Sequence, residues 1–198
     1  MAHFLRHTLL SAVMLLVVVT VITGVVYPAF VTAVAQVAFP RQANGSMIVV
    51  DGRTVGSSLI GQAFKDPKYF RGRPSAAGVT DANPAGYDAS NSAGSNLGPT
   101  SQTLIEDVQK RIDALRAVNG DGPVPVDLVT TSASGLDPDI SPADAAYQVA
   151  RVAEARGMSD TDVRAAVARH TQQAILGFLG EPRVNVLELN LDLDGLLR

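Results

Sequence analysis

The apolar and polar positions along the chain change period several times. Residues 8–27 (TLLSAVMLLVVVTVITGVVY) hold nothing more polar than Ser, Thr and Gly, and no Asp, Glu, Lys or Arg lies between Arg6 and Arg41. About 20 such residues at 1.5 Å rise cover the ~30 Å hydrocarbon core of a bilayer. The block therefore predicts one transmembrane helix, with Tyr27 as interface anchor and Pro28 at its exit. Its many β-branched residues do not argue against a helix, because in lipid every backbone group must bond internally. Ala33-Val34-Ala35 resembles a signal-peptide cleavage site, but the apolar run exceeds the ~7–15 residues of an ordinary signal and the site lies well past its end. A retained anchor is expected, with residues 1–7 before it and a linker over 28–45.

Beyond the linker, residues 46–198 read as a mixed α/β (α+β) domain. SMIVV (46–50), the Asp51-Gly52 turn and residues 53–55 predict a hairpin. Leu104, Ile105, Val108, Ile112, Leu115 and Val118 recur at helical spacing, with Thr103 and Glu106 as a capping box and Gly120 as a stop. A second helix starts at Ser141-Pro142, buries Ala145, Val149, Val152 and Ala153, and ends near Gly157. A third follows Ser159 and presents Val163, Val167, His170 and Ala174. The alternation in LELNLDLD (187–194) predicts a half-buried final strand. Between 71 and 99 no apolar period survives, and 15 of the 29 residues are Gly, Pro, Ser or Asn. This composition predicts an ordered, turn-dense loop region.

Charge and composition narrow the chemistry. Net charge is −3 with no Cys and no Trp, which removes a basic nucleic-acid footprint, disulfides and thiolate chemistry. Arg6 precedes the anchor, so the positive-inside rule places the amino terminus in the cytoplasm and the large domain outside. From residue 41 onward 15 Lys and Arg stand against 19 Asp and Glu, a balance of −4. Ser11, Thr20, Thr23 and Gly24 are small enough to let another membrane helix approach, or bond back to their own helix. His170 is the one histidine beyond the anchor, His3 and His7 lying before it, and no Walker or HExxH motif occurs. Asp137 and Asp139 around Pro138, and Asp192 and Asp194 on one face of the final strand, fit turn chemistry and a solvated face better than an acid pair or calcium site. Two classes remain, an accessory subunit that acts by binding or a membrane-anchored envelope enzyme or binding protein using Asp137 and Asp139.

The segments GSSLIGQAF (56–64), PKYFRGRPSAA (67–77), SAGSNLGPTSQTL (92–104), VPVDLVTTSASGLDPDISPADA (124–145), QVARVAEARG (148–157) and GEPRVNVLELN (180–190) resemble, in one collinear order, the C subunit of the Kdp-type potassium-transporting P-type ATPases. The resemblance implies one amino-terminal membrane helix and an extracytoplasmic domain in the bacterial inner membrane. It implies a complex with a channel-like potassium-binding subunit, a P-type ATP-hydrolysing subunit and a small membrane peptide, with potassium as the transported ion. It also implies a non-catalytic role in assembly and as a catalytic chaperone that raises the ATP affinity of the hydrolysing subunit. Asp139 stands where His is expected after LDP, and Ala93 and Ala133 where Gly is common; an Ala is tolerated there only at φ < 0.

An external domain cannot meet cytoplasmic ATP, so an effect on ATP affinity is expected to pass through the membrane subunits as a coupling of ~1–3 kcal/mol. If ATP bound this chain directly, Ser92, Gly94, Ser95 and Asn96 would be its candidates, since SAGSN resembles the Gly-rich signature of transport ATPases, although the loop leads into a helix without a lysine at the phosphate position. The expected partner surface is Arg71, Gly72, Arg73, Pro74 and Ser75 with Asn96, Leu97, Gly98, Pro99, Asp137 and Pro138, set over the potassium entrance of the channel-like subunit.

Overall fold

A computed structural model describes residues 1–197, with the side chains of Ala2 and His3 outside the described residues. The chain divides into two compact units, Met1–Met47 and Ile48–Arg198. In the first, α1 (Ala2–Val21) runs through a π-helical turn (Ile22–Val26) into α2 (Tyr27–Ala38), and a short α3 (Pro40–Ala43) follows. The helix thus continues past Pro28, where an exit and a linker were expected. Proline has no N–H and its ring crowds the carbonyl four residues back. The widened turn just before it, in which the Tyr27 N–H donates to the Ile22 carbonyl, absorbs that disruption. The stretch Phe4–Ala38 is one helix long and apolar enough to cross a membrane. At about 52 Å for its 35 residues it exceeds the ~30 Å core.

In the second unit, β1 (Met47–Val50) and β2 (Arg53–Ser57) form the expected hairpin. Asp51 (φ 49°) and Gly52 (φ 75°) both take the left-handed conformation that a tight two-residue hairpin turn demands. A long irregular stretch leads to α4 (Gln102–Asn119), whose cap is Ser101 rather than Thr103; its hydroxyl accepts from the Leu104 N–H. A 3-10 turn (Val126–Leu128), β3 (Asp139–Ile140), α5 (Pro142–Arg156), α6 (Asp160–Arg169), β4 (Thr171–Gln172), β5 (Arg183–Asn185) and α7 (Val186–Leu193) complete the unit. The second sheet has the antiparallel order β3-β5-β4.

Helices α5 and α6 begin and end where local chemistry dictates. Ser141 and Asp144 form a reciprocal capping box, Gly157 ends α5 at φ 63°, and the Ser159 hydroxyl accepts from the Asp162 N–H. Val149, Val152, Val163 and Val167 pack with Phe70, Ile140, Val184 and Leu189 into one core. His170 caps the end of α6 rather than lying within a helix.

The run 187–194 is helix α7, not a strand. Asn185 caps it by accepting from the Glu188 N–H, and Val186, Leu187, Leu189, Asn190 and Leu191 are all buried. A helix buried this broadly gives an alternating run in sequence, and the polar Asn190 makes the alternation look complete.

Candidate functional site

The site is built on a segment with no secondary structure of its own. From Pro67 to Arg71 five successive backbone carbonyls are each met by a buried side chain. Arg151 donates to the Pro67 and Tyr69 carbonyls, Arg156 to that of Lys68 (2.7 Å), Asn190 to that of Phe70 (2.9 Å) and Gln148 to that of Arg71 (3.0 Å). The two carboxamides also accept, from the Phe70 N–H (2.8 Å) and the Arg71 N–H (2.9 Å). Each carboxamide thus imitates a neighbouring β-strand, satisfying backbone groups that would be costly to bury unpaired. Burial, then the nearby Arg71, pulls the Arg151 guanidinium down to about 10, so it still donates as a cation at neutral pH. Beside it Arg156 pairs with Asp194 (2.9 Å), whose other oxygen accepts from the Tyr69 hydroxyl (2.9 Å).

This cradle holds the following GRPS turn in place. The Ser75 hydroxyl donates to the Gly135 carbonyl (2.6 Å) and accepts from the N–H groups of Ala77 (3.1 Å) and Tyr87 (2.8 Å). Tyr87 sits at φ 61°, a strained conformation for a large side chain, and its hydroxyl donates to the Arg73 carbonyl. Burial first, then Asp137, push that hydroxyl up to about 12 against the opposing Arg73, so it stays a donor at neutral pH. Gly61 and Gly72 leave no room for a side chain: a Cβ would meet the Asp137 carbonyl at 2.5 Å and the Tyr87 hydroxyl oxygen at 2.8 Å, respectively.

Arg73 then reaches toward Asp137 (3.4 Å), Asp127 (3.5 Å), the Thr131 carbonyl (3.4 Å) and the Thr130 hydroxyl (3.5 Å). These separations give attraction shared over several acceptors rather than one short bond. Asp137 also accepts from the Asp139 N–H (3.0 Å), closing the turn over Pro138. Asp139 pairs with Arg183 (3.0 Å) and accepts from Asn185 (3.1 Å); burial nonetheless raises its carboxyl above the usual range. Arg73, Asp127, Asp137, Asp139 and Arg183, together with Ser141, Glu181 and Pro182, line an open cleft of about 350 Å³. Four carboxylates against two guanidinium groups leave its rim acidic. Both acids of the Asp-Pro-Asp turn are engaged by arginines, an arrangement that fixes the turn. Among the described residues no three His, Asp or Glu side chains converge as metal ligands would.

Arg73, Ser75, Asp137 and Pro138 are therefore brought together, with Arg71 and Gly72 behind them. The second loop divides. Its first half docks on the segment before Asp137: the Ser92 hydroxyl and the Ala93 N–H both donate to the Ser134 carbonyl (2.9 and 3.0 Å), and a Cβ on Gly94 would meet the Ala133 carbonyl at 2.9 Å. Its second half, Ser95, Asn96, Leu97, Gly98 and Pro99, is exposed and lines no part of the cleft. Asn96 takes φ 52° there. Ala93 and Ala133 both have negative φ, so alanine fits where glycine was expected. In the helix, Thr23 bonds back to the Val19 carbonyl (2.8 Å) and Gly24 lies in the π-helical turn, while Ser11 and Thr20 are exposed with them. The clamps Gln148, Arg151 and Asn190 escape a motif search, but Gln148 lies on the apolar stripe of α5, and a polar residue on a core face is the signal that finds it.

A family model described as "K+-transporting ATPase, c chain" matches residues 9–195. The chain belongs to the KdpC family. It is 55% identical over 191 residues to a "Potassium-transporting ATPase KdpC subunit" of Koribacter versatilis, covering 96% of each chain. A protein of the same description from Sorangium cellulosum is 60% identical over 186 residues, covering 93% of this chain and 95% of its own. The match to the KdpC family takes in the apolar helix, the clamped segment and the cleft alike.

Proposed function

We propose that this chain is the accessory C subunit of an ATP-driven potassium import complex, anchored in the membrane by α1 and α2 with its larger unit outside. The observation that carries the reading is the family match, which spans residue 9 in the apolar helix to residue 195. In this reading the helix packs against a channel-like potassium-binding subunit. Its apolar surface beyond Tyr27, with Phe30, Val34 and Val37 exposed, is longer than lipid alone would cover and supports a protein neighbour there. The exposed 95–99 loop meets that subunit near its potassium entrance, its base held by the Ser92 and Ala93 bonds to the Ser134 carbonyl beside the half-buried Arg73–Asp137 contact. ATP binds the P-type hydrolysing subunit, and this chain raises its ATP affinity through the membrane partners rather than through residues 92–96.

The test is affinity purification of the tagged full-length chain from detergent-solubilised membranes of cells grown at limiting potassium. Recovery of a P-type ATPase with a potassium-channel-like protein and a small peptide is the expected result. Recovery of the chain alone from membranes known to hold those proteins overturns the reading.

A further inference from the structure

Strands β4 and β5 extend beyond their paired residues into an arm that ends in the tight turn 174–180 (AILGFLG). The arm is firmly based: Thr171 faces Val184 and Gln172 faces Arg183 in the antiparallel register, and the Thr171 hydroxyl bonds the Val167 carbonyl (2.7 Å). Its tip is apolar and outside the core. Ile175, Leu176, Phe178 and Leu179 are 64%, 79%, 71% and 52% exposed, and none packs in either core cluster. No Asp, Glu, Lys or Arg occurs from residue 170 to residue 180.

Two further features distinguish this tip from an ordinary surface turn. Leu176 is held at φ 56° beside Gly177 at φ 80°. Folding alone favours Asn or Gly at such a position, so a leucine there keeps backbone strain in order to present an apolar side chain. The backbone is also self-satisfied. The N–H groups of Ile175 and Leu179 donate to each other's carbonyls (2.9 Å each), that of Gly177 to Ala174 (3.0 Å) and that of Phe178 to Ile175 (3.3 Å). Four of five tip amides thus need no outside acceptor, which a groove on a protein does not require and a lipid environment does.

The geometry points to this tip as a shallow lipid-inserting element that dips into the interfacial layer of the bilayer holding the chain's own helix. The helix ends at Ala38 and the second unit begins at Ile48, a connection of at most about 35 Å. Such a tether keeps the second unit within reach of the bilayer face from which the helix emerges. The exposed polar residues Gln172, Gln173, Glu181 and Arg183 at the neck suit the headgroup level, with the apolar tip below them. The inference depends on the membrane anchor alone and stands apart from which subunits the chain assembles with.

The chain has no Trp, so Phe178→Trp supplies a single reporter. The full chain is reconstituted into phosphatidylcholine/phosphatidylglycerol vesicles with and without acyl-chain-brominated phosphatidylcholine. Insertion predicts a blue-shifted emission and at least about twofold quenching by the brominated lipid. Ile105→Trp, on the exposed face of α4, should show neither. Adding Leu176→Asp to the reporter chain, a residue that tolerates the left-handed conformation, should abolish the quenching without changing circular dichroism. Water-like emission with no bromine quenching at residue 178 overturns the inference. So does shielding that appears only when potassium-transporting ATPase subunits are co-reconstituted, which would make a protein groove the occupant.

Discussion

The clamp that Asn190 places on Phe70 yields the sharpest energetic test. Asn190→Leu keeps the branching and the number of side-chain heavy atoms and removes both hydrogen bonds, leaving the Phe70 N–H and carbonyl unpaired where Phe70 is 0% and Asn190 1% exposed. Each buried backbone group stripped of its partner costs about 1–3 kcal/mol, for a total of about 2–5 kcal/mol after the small gain from a more apolar side chain. With a urea dependence of about 2 kcal/mol/M, the unfolding midpoint should fall by about 1–2.5 M. The measurement is urea unfolding of the full chain in detergent followed by tyrosine fluorescence, which reads the second unit through Tyr69, Tyr87 and Tyr147. Asn91→Leu at an exposed position controls for the chemical change itself and should leave the midpoint in place. A midpoint shift below about 0.3 M for Asn190→Leu would refute the view that side chains replace a β-strand along 67–71.

Three further perturbations test neighbouring parts of the frame. Gly135 sits at φ 67°, and a Cβ there would meet the Ala93 carbonyl at 2.4 Å and the Ala77 nitrogen at 2.7 Å. Gly135→Ala should therefore cost about 2–4 kcal/mol in the same unfolding assay. Burial raises the Asp144 carboxyl above its usual range, so its contribution is fully present below the ordinary carboxylate pKa and lost as pH rises through the folded value. Asp144→Asn should remove that slope and be the more stable protein at pH 7, while the Ser141 hydroxyl still caps α5. Burial also pushes the Asp192 carboxyl up, but hydrogen bonds from Arg169 and His170 outweigh it and hold the group below its usual range. Its contribution is present above the ordinary carboxylate pKa and disappears as pH falls through the folded value. Asp192→Asn should thus lower stability modestly at neutral pH and match the parent chain in acid, as read by urea midpoints across pH.

What could be read from the sequence follows how local each signal is. The hairpin at Asp51-Gly52 and helices α5 and α6 depend on residues within four positions of one another, and they appear where caps and apolar period place them. α7 was misread because its deciding residue acts at long range. Asn190 counts as polar in any pattern, yet it is buried against Phe70, 120 positions away. A local signal was present all the same, since Asn185 followed three residues later by Glu188 is a helix-start signature. Pro28 misled in the opposite direction, because a π-helical turn upstream carries the helix through it. The cradle under 67–71 lies within segments that carry the family resemblance, but its clamping role left no local signal, since five carbonyls in an irregular segment carry no side-chain pattern.

The clamped segment also bears on how the chain can act as a docking subunit. Fixing a residue's backbone costs about 1–2 kcal/mol, so an irregular stretch that ordered only on contact with a partner would draw tens of kcal/mol from that contact. Here Ser75, Tyr87, Ser92 and Ser134 order the stretch within the chain itself. The exposed 95–99 loop is left to adjust, between its tethered base at Ala93 and the capped start of α4 at Ser101. Substitutions at Arg73 or Asp137 should therefore weaken assembly by loosening the fold, whereas Asn96→Gly, which keeps the left-handed conformation, or a substitution at Leu97 should weaken it with the unfolding midpoint unchanged. Comparing subunit recovery with the midpoint for each variant separates a residue that builds the surface from one that forms it.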